Sequence, residues 1–291
     1  TCTPATDTVE IRVYDQPTSN ANVDQDLCNI YTTTLAGNQP PGTATGMWSE
    51  DATHTQPSAV TFIDATQFDT DINNLQEGTY KLVWTVSNGT CTPATDTVII
   101  TVYDQPIANA GVDQVICEQF TTVLEGNEPQ GTATGVWSID NNFGNPTQIL
   151  FYDNNDYNAT ASNFQEGEYQ LIWTLSNGNC PESSDTVLLT NYTIPTADFI
   201  VENRVCLEKC VTATNISYVA SPYFITGYEW IINGINQELT TDFEGEFCFP
   251  DTGVYNINLI VTTDRGCKDT SDVQSSITVN ELPVANFTYS P

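Results

Sequence analysis

Along Tyr80, Leu82, Trp84 and Val86 every second residue is apolar, with Lys81, Val83, Thr85 and Ser87 between them. β-Branched and aromatic residues at a period of two predict a strand with one face in a core. Residues 97–102 and 186–190 read the same way. Ser87-Asn88-Gly89 and Ser176-Asn177-Gly178 supply the residues that tolerate positive φ, which a tight hairpin turn needs. No stretch has a convincing 3.6 period, so the chain is expected to be all β. Short strands with regular turn signals point to two-sheet sandwiches.

The pattern recurs. Cys28, Cys117 and Cys206 stand 89 residues apart, and so do Cys2, Cys91 and Cys180, with Cys267 following 87 later. Two interleaved ladders with one period mark a tandem repeat. The text agrees: Gly42-Thr43-Ala44-Thr45-Gly46-Met47-Trp48-Ser49 returns at 131–138 with Val136 for Met47, and Glu77-Gly78-Thr79-Tyr80 returns at Glu166. The units expected are 16–105, 106–194 and a diverged 195–281. Residues 1–15 copy 90–104, as the last strand of a preceding repeat. Residues 282–291 repeat the opening of unit three, as the first strand of a following one. The natural polypeptide is thus expected to run on at both ends. A proline and no Gly/Ser spacer at 102–106 predict a stiff array.

Gly-x-Tyr before a core strand marks Tyr80, Tyr169 and Tyr255 as tyrosine corners, whose phenols bond back to the chain. Trp48, Trp137 and Trp230 recur on a central strand and are expected to fill the cores rather than to stack on sugars.

Charge narrows the functions. Thirty-seven acidic residues face six basic ones, net −31, which leaves too few cations to neutralise a nucleic acid backbone. An anionic membrane surface would repel the chain, and no apolar run is long enough to span a bilayer. No signal peptide is visible at Thr1.

Nine cysteines and one histidine point to disulfides and an oxidising compartment rather than to zinc. The repeat permits bridges within units or across junctions, such as Cys2–Cys28 and Cys91–Cys117. The within-unit scheme is expected, because unit three diverged yet kept its own pair: Cys28–Cys91, Cys117–Cys180 and Cys206–Cys267. Cys210 and Cys248 form a second staple in unit three, and Cys2 is left unpaired. Such clasps would lock about 63 residues per unit against a pull and let only 91–117 pay out, about 90 Å.

Catalysis has little material. His54 is the only histidine and Phe143 replaces it in unit two, so no catalytic residue is assigned. No cofactor is implied except calcium, for which Asp24, Asp69, Asp71, Asp104, Asp113, Asp153 and Asp156 are the candidate ligands in oxygen-rich loops and at junctions. Lys81 faces Gln170 in the next copy, so a lysine crosslink is not general.

Unit three resembles polycystic-kidney-disease (PKD) domains through Pro195-Thr196-Ala197-Asp198-Phe199, Tyr228-Glu229-Trp230, Gly253-Val254-Tyr255 and Arg265-Gly266-Cys267. It departs from the family's Trp-Asp-Phe-Gly-Asp-Gly at Trp230-Ile231-Ile232-Asn233-Gly234. Units one and two are similar to the PKD-like, immunoglobulin-like repeats of giant Bacteroidetes surface adhesins, through Asn109-Ala110-Gly111-Val112-Asp113-Gln114 and Trp173-Thr174-Leu175-Ser176-Asn177-Gly178. The resemblance implies tandem PKD-like sandwiches in an extended array, export by the type IX system, and a structural role in adhesion or gliding. Glycan or ligand binding through polar loops is the alternative. The partners implied are neighbouring repeats of the same chain and surface glycans or other cell-surface proteins. It also implies O-glycosylation at Asp-Thr-Val, hence at Thr8, Thr97 and Thr186.

Overall fold

The computed structural model describes residues 3–232, 235–236, 243–271 and 275–288. Unit one holds β1 (Gln25–Cys28), β2 (Thr33–Thr34), β3 (Thr45–Glu50), β4 (Thr61–Phe62), β5 (Asp71–Asn73), β6 (Gly78–Ser87) and β7 (Ala94–Tyr103). Four of these form one sheet in the order β1-β7-β6-β3, and β2-β5-β4 form the facing sheet. The alternation read along β6 is what joins them: Tyr80, Leu82, Trp84 and Val86 are fully buried beside Val98, Ile100 and Val102, against Leu35, Ile72 and Leu75 of the facing layer. Trp48 and Trp84 lie 5.0 Å apart at the centre. Gly46 must be glycine, since a Cβ there would overlap the Trp84 ring.

Unit two repeats this with β8 (Gln114–Cys117), β9 (Thr121–Val123), β10 (Thr134–Ile139), β11 (Leu150–Phe151), β12 (Thr160–Ser162), β13 (Gly167–Ser176) and β14 (Ser183–Tyr192). The sheets are β10-β13-β14-β8 and β11-β12-β9, around the Trp137–Trp173 pair. Unit three has β15 (Phe199–Ile200), β16 (Arg204–Cys206), β17 (Cys210–Asn215), β18 (Ile225–Ile232), β19 (Ile235–Asn236), β20 (Glu244–Cys248), β21 (Gly253–Thr263), β22 (Lys268–Thr270) and β23 (Ser275–Asn280). Its sheets are β15-β17-β20 and β16-β23-β21-β18-β19, with β22 on β21. The described residues are all β, with no sheet shared between units.

Tyrosine corners close each sandwich. The Tyr80 phenol accepts from the Gln76 N–H at 2.7 Å and shares a hydrogen bond with the Ser58 hydroxyl. Tyr169 accepts from Gln165 N–H, and Tyr255 donates to the Asp251 carbonyl.

Residues 3–15 and 282–288 carry no strand. A strand exists by its ladder of hydrogen bonds, and no described segment pairs with either stretch. Outside the antiparallel pairs, β1 runs parallel to β7, putting Cys28 opposite Tyr103 at the end of β7. The same parallel pairing sets Cys117 opposite Tyr192 and Cys206 opposite Asn280. It decides where the sulfurs lie.

Candidate functional site

Each sandwich has two poles, joined by a last strand of ten residues in units one and two. At about 3.3 Å per residue such a strand spans about 33 Å. Cys28 and Cys117 lie at the pole where that strand ends, whereas Cys91 and Cys180 precede Ala94 and Ser183 at the pole where it begins. A disulfide needs Cα atoms within about 7 Å. Pairing within a unit is therefore geometrically closed, and so is Cys91–Cys117, whose poles face away from each other.

The structure pairs the far pole of one unit with the near pole of the next. Cys28 is bonded to Cys180 (Cα–Cα 5.1 Å, 152 residues apart) and Cys117 to Cys267 (5.6 Å, 150 apart). The two loops overlap, so the bridges interlock. Cys210–Cys248 links opposed residues of β17 and β20 inside unit three. Cys91 and Cys206, expected in bridges, are free thiols. Cys2 lies outside the described residues.

Around each bridge the poles interlock by side chains from the Ser-Asn-Gly turn. At the first junction Asn177 donates to the Asp104 carbonyl (2.9 Å) and to the Glu77 carboxylate (3.1 Å). Asn179 donates to the Asp26 carbonyl, and Gln105 donates to the Pro181 carbonyl. The Tyr103 ring packs on Gly178, whose φ of +53° and lack of Cβ make room for it. The second junction uses different residues in the same place. Tyr192 meets Tyr223 edge-on at 5.6 Å, and the Arg265 guanidinium sits over the Tyr192 ring. Burial, and then a hydrogen bond to Glu166, push the Tyr223 phenol up to about 12.

Residues 14–16 dock on unit one as 103–105 dock on unit two. Asn88 donates to the Asp15 carbonyl, Gln16 donates to the Thr92 carbonyl, and Cys91 Sγ lies 3.6 Å from the Tyr14 carbonyl oxygen. The equivalent distance from Cys180 Sγ to the Tyr103 oxygen is 3.7 Å.

Several acidic candidates hold backbone. Asp24 accepts from the Ile99 N–H and Asp113 from the Leu188 N–H, fastening the opening segment to the last strand. Asp104 accepts from the Tyr31 hydroxyl and raises that phenol's pKa. Asp71 accepts from Thr34; Asp153 and Asp156 cap their own turns through Asn155 and Asn158. Asp69 is exposed. No cluster of three or more His, Cys, Asp or Glu side chains occurs among the described residues.

The Asp-Thr-Val motif carries a role that sequence reasoning missed. Asp96 accepts from the Ala21 N–H and Asp185 from Ala110, and in unit three Asp269, which opens Asp-Thr-Ser, accepts from Ala197, each at 2.7–2.8 Å. The recurring spacing of Ala to Asp was the available signal. Thr97 and Thr186 stand exposed beside these aspartates, and Thr8 is exposed too. His54 bonds the Thr79 carbonyl with its ring, while the five tryptophans are all buried.

No protein-family model matches the chain, and no curated protein matches it. Among solved structures, extracellular domains 3–5 of Drosophila OTK are similar at a TM-score of 0.44 and 10% identity, over 89% of this chain and 95% of that one. Fibronectin(III)-like modules of Clostridium thermocellum CbhA match at 0.39 and 13%, over 63% and 100%. The PKD domain from the KIAA 1837 protein matches at 0.28 and 21%, over 33% and 96%. Likenesses of this size say nothing of function. The strand order itself defines the class: tandem immunoglobulin-like β-sandwiches, here clasped to each other by disulfides.

Proposed function

We propose that this chain is a load-bearing stalk segment of an extracellular, repetitive surface or filament protein, serving adhesion or gliding and having no catalytic role. The observation that carries the reading is the pair of disulfides that run from the far pole of one sandwich to the near pole of the next. Bridges of this kind suit an oxidising compartment. A clasp inside a unit would stabilise that unit; a clasp between poles passes tension from unit to unit and leaves residues 29–179 out of the load path. From Cys180 the chain runs down β14 and along the opening of unit three to Cys206, about 26 residues or roughly 90 Å at full stretch.

The alternative, glycan binding, loses its strongest residue type, since no tryptophan is exposed. Non-reducing peptide mapping of the secreted chain tests the stalk reading. Linked peptides containing Cys28 with Cys180 and Cys117 with Cys267 are expected. Recovery of Cys28 joined to Cys91 would overturn it.

A further inference from the structure

Cys91 and Cys206 are free, although the described cysteines at the equivalent places of the repeat are bridged. Cys91 stands where Cys180 and Cys267 stand, and each of those receives a bond from the unit before it. Cys206 stands where Cys28 and Cys117 stand, and each of those bonds the unit after it.

Both free thiols sit in finished sites. The residue after Cys206, Leu207, donates its N–H to the Asn280 carbonyl at 2.8 Å, as Asn29 donates to Tyr103 and Glu118 to Tyr192. The backbone around Cys206 is thus held as it is around the two bonded copies, and the residue is exposed at its pole. At the other end, Asp15 and Gln16 already make the contacts by which Asp104 and Gln105 bring Cys28 to Cys180.

We infer that Cys91 and Cys206 are the receiving and giving halves of further inter-unit disulfides, each made with another sandwich of this same type adjoining in one polypeptide. This rests on the junction-clasp reading above. The bond forms by exchange with a small-molecule disulfide oxidant. The Cys206 thiolate attacks it, making a mixed disulfide and releasing one thiolate. The incoming unit's thiolate then attacks the Cys206 sulfur and releases the second. Two thiols are oxidised, one oxidant disulfide is reduced to two thiols, and the two protons go with them.

The ladder that results has two alternating rails. One passes from Cys28 through Cys180 to Cys206 and onward; the other starts at Cys117 and Cys267. A rail spends about 26 residues, roughly 90 Å, to pass two sandwiches. Each sandwich already spans about 33 Å of strand plus its end loops, so the array has little covalent slack to pay out.

The test is a tandem chain, residues 1–282 followed directly by 17–291, so that the second copy's Pro17 replaces Pro283. It is folded in a reduced/oxidised glutathione buffer and mapped without reduction. A peptide joining Cys206 of the first copy to Cys91 of the second is expected, with two fewer alkylatable thiols than unlinked copies would show. Cys206→Ser in the first copy should return the second copy's Cys91 to the alkylatable pool without disturbing the other bridges. Both thiols open while Cys28–Cys180 and Cys117–Cys267 are closed would overturn the inference and leave the stalk reading standing. All of these bridges open would overturn both.

Discussion

Interlocked bridges leave a mechanical signature that separate clasps cannot imitate. With handles at the two ends, the shortest covalent path through the oxidised chain runs 1–28, 180–210 and 248–291. That is about 100 residues, or roughly 350 Å at about 3.5 Å per residue. Replacing Cys117 and Cys267 by serine leaves this path intact, so the fully extended length should not change. Replacing Cys28 and Cys180 instead reroutes the load through Cys117–Cys267 and adds about 40 residues, roughly 140 Å. Removing both bridges adds about 152 residues, roughly 530 Å, far more than the separate effects together. Pairing within units would make the Cys117/Cys267 variant longer by about 86 residues, roughly 300 Å. Single-molecule pulling in oxidising buffer distinguishes zero from 300 Å without ambiguity. A lengthened Cys117/Cys267 variant would refute the interlocked arrangement.

Four further outcomes are expected. Trp84→Ala should cost about 3–5 kcal/mol of unit-one stability in denaturant titrations, and Gly46→Ala about 1–3 kcal/mol, because the added methyl meets the same ring. Tyr80→Phe should cost about 1–3 kcal/mol, since the Gln76 N–H loses the phenol oxygen it donates to; an unchanged urea midpoint would refute the corner. The Tyr223 phenol is neutral and its folded pKa lies near 12, against about 10 when unfolded, so the folded state holds its proton longer. Its contribution is complete below pH 10 and is lost as pH rises through about 12. Melting of the thiol-alkylated chain should fall over that window and fall less in Tyr223→Phe; equal slopes would show that the phenol is not coupled to the fold.

The strands and cores were legible because a period of two was written twice. What Tyr80 to Val86 suggested, Tyr169 to Leu175 repeated, and every second residue of both runs, from the tyrosine on, is buried. The bridges were misread for one physical reason. Sequence spacing places Cys28 early in its unit and Cys91 late, which looks like a clasp from start to finish. The parallel pairing of β1 with β7 puts the early cysteine at the far pole, a fact that periodicity does not encode. The backbone contacts of Asp24, Asp113 and Asp96 were not legible for a similar reason. A carboxylate that accepts one backbone N–H across 75 residues is indistinguishable, in sequence, from one turned to solvent.

The two inter-unit bridges lie at the seams, and among the described residues Cys210–Cys248 alone lies inside a unit. Inside each unit, buried aromatic pairs and two facing sheets supply the cohesion, and a disulfide there would add to what is already held. The first junction is different: its contacts are amide and carboxylate hydrogen bonds with one ring laid on a glycine turn. Poles of a chain with net charge −31 also repel one another across such a seam. Polar contacts worth about 1 kcal/mol each cannot hold a seam under a pull. A covalent bond can, and it requires only that two cysteines face each other across the junction. The sulfur ladder therefore belongs to the joints rather than the blocks, which is why unit three could diverge in its core yet keep Cys206 and Cys267 at its two poles.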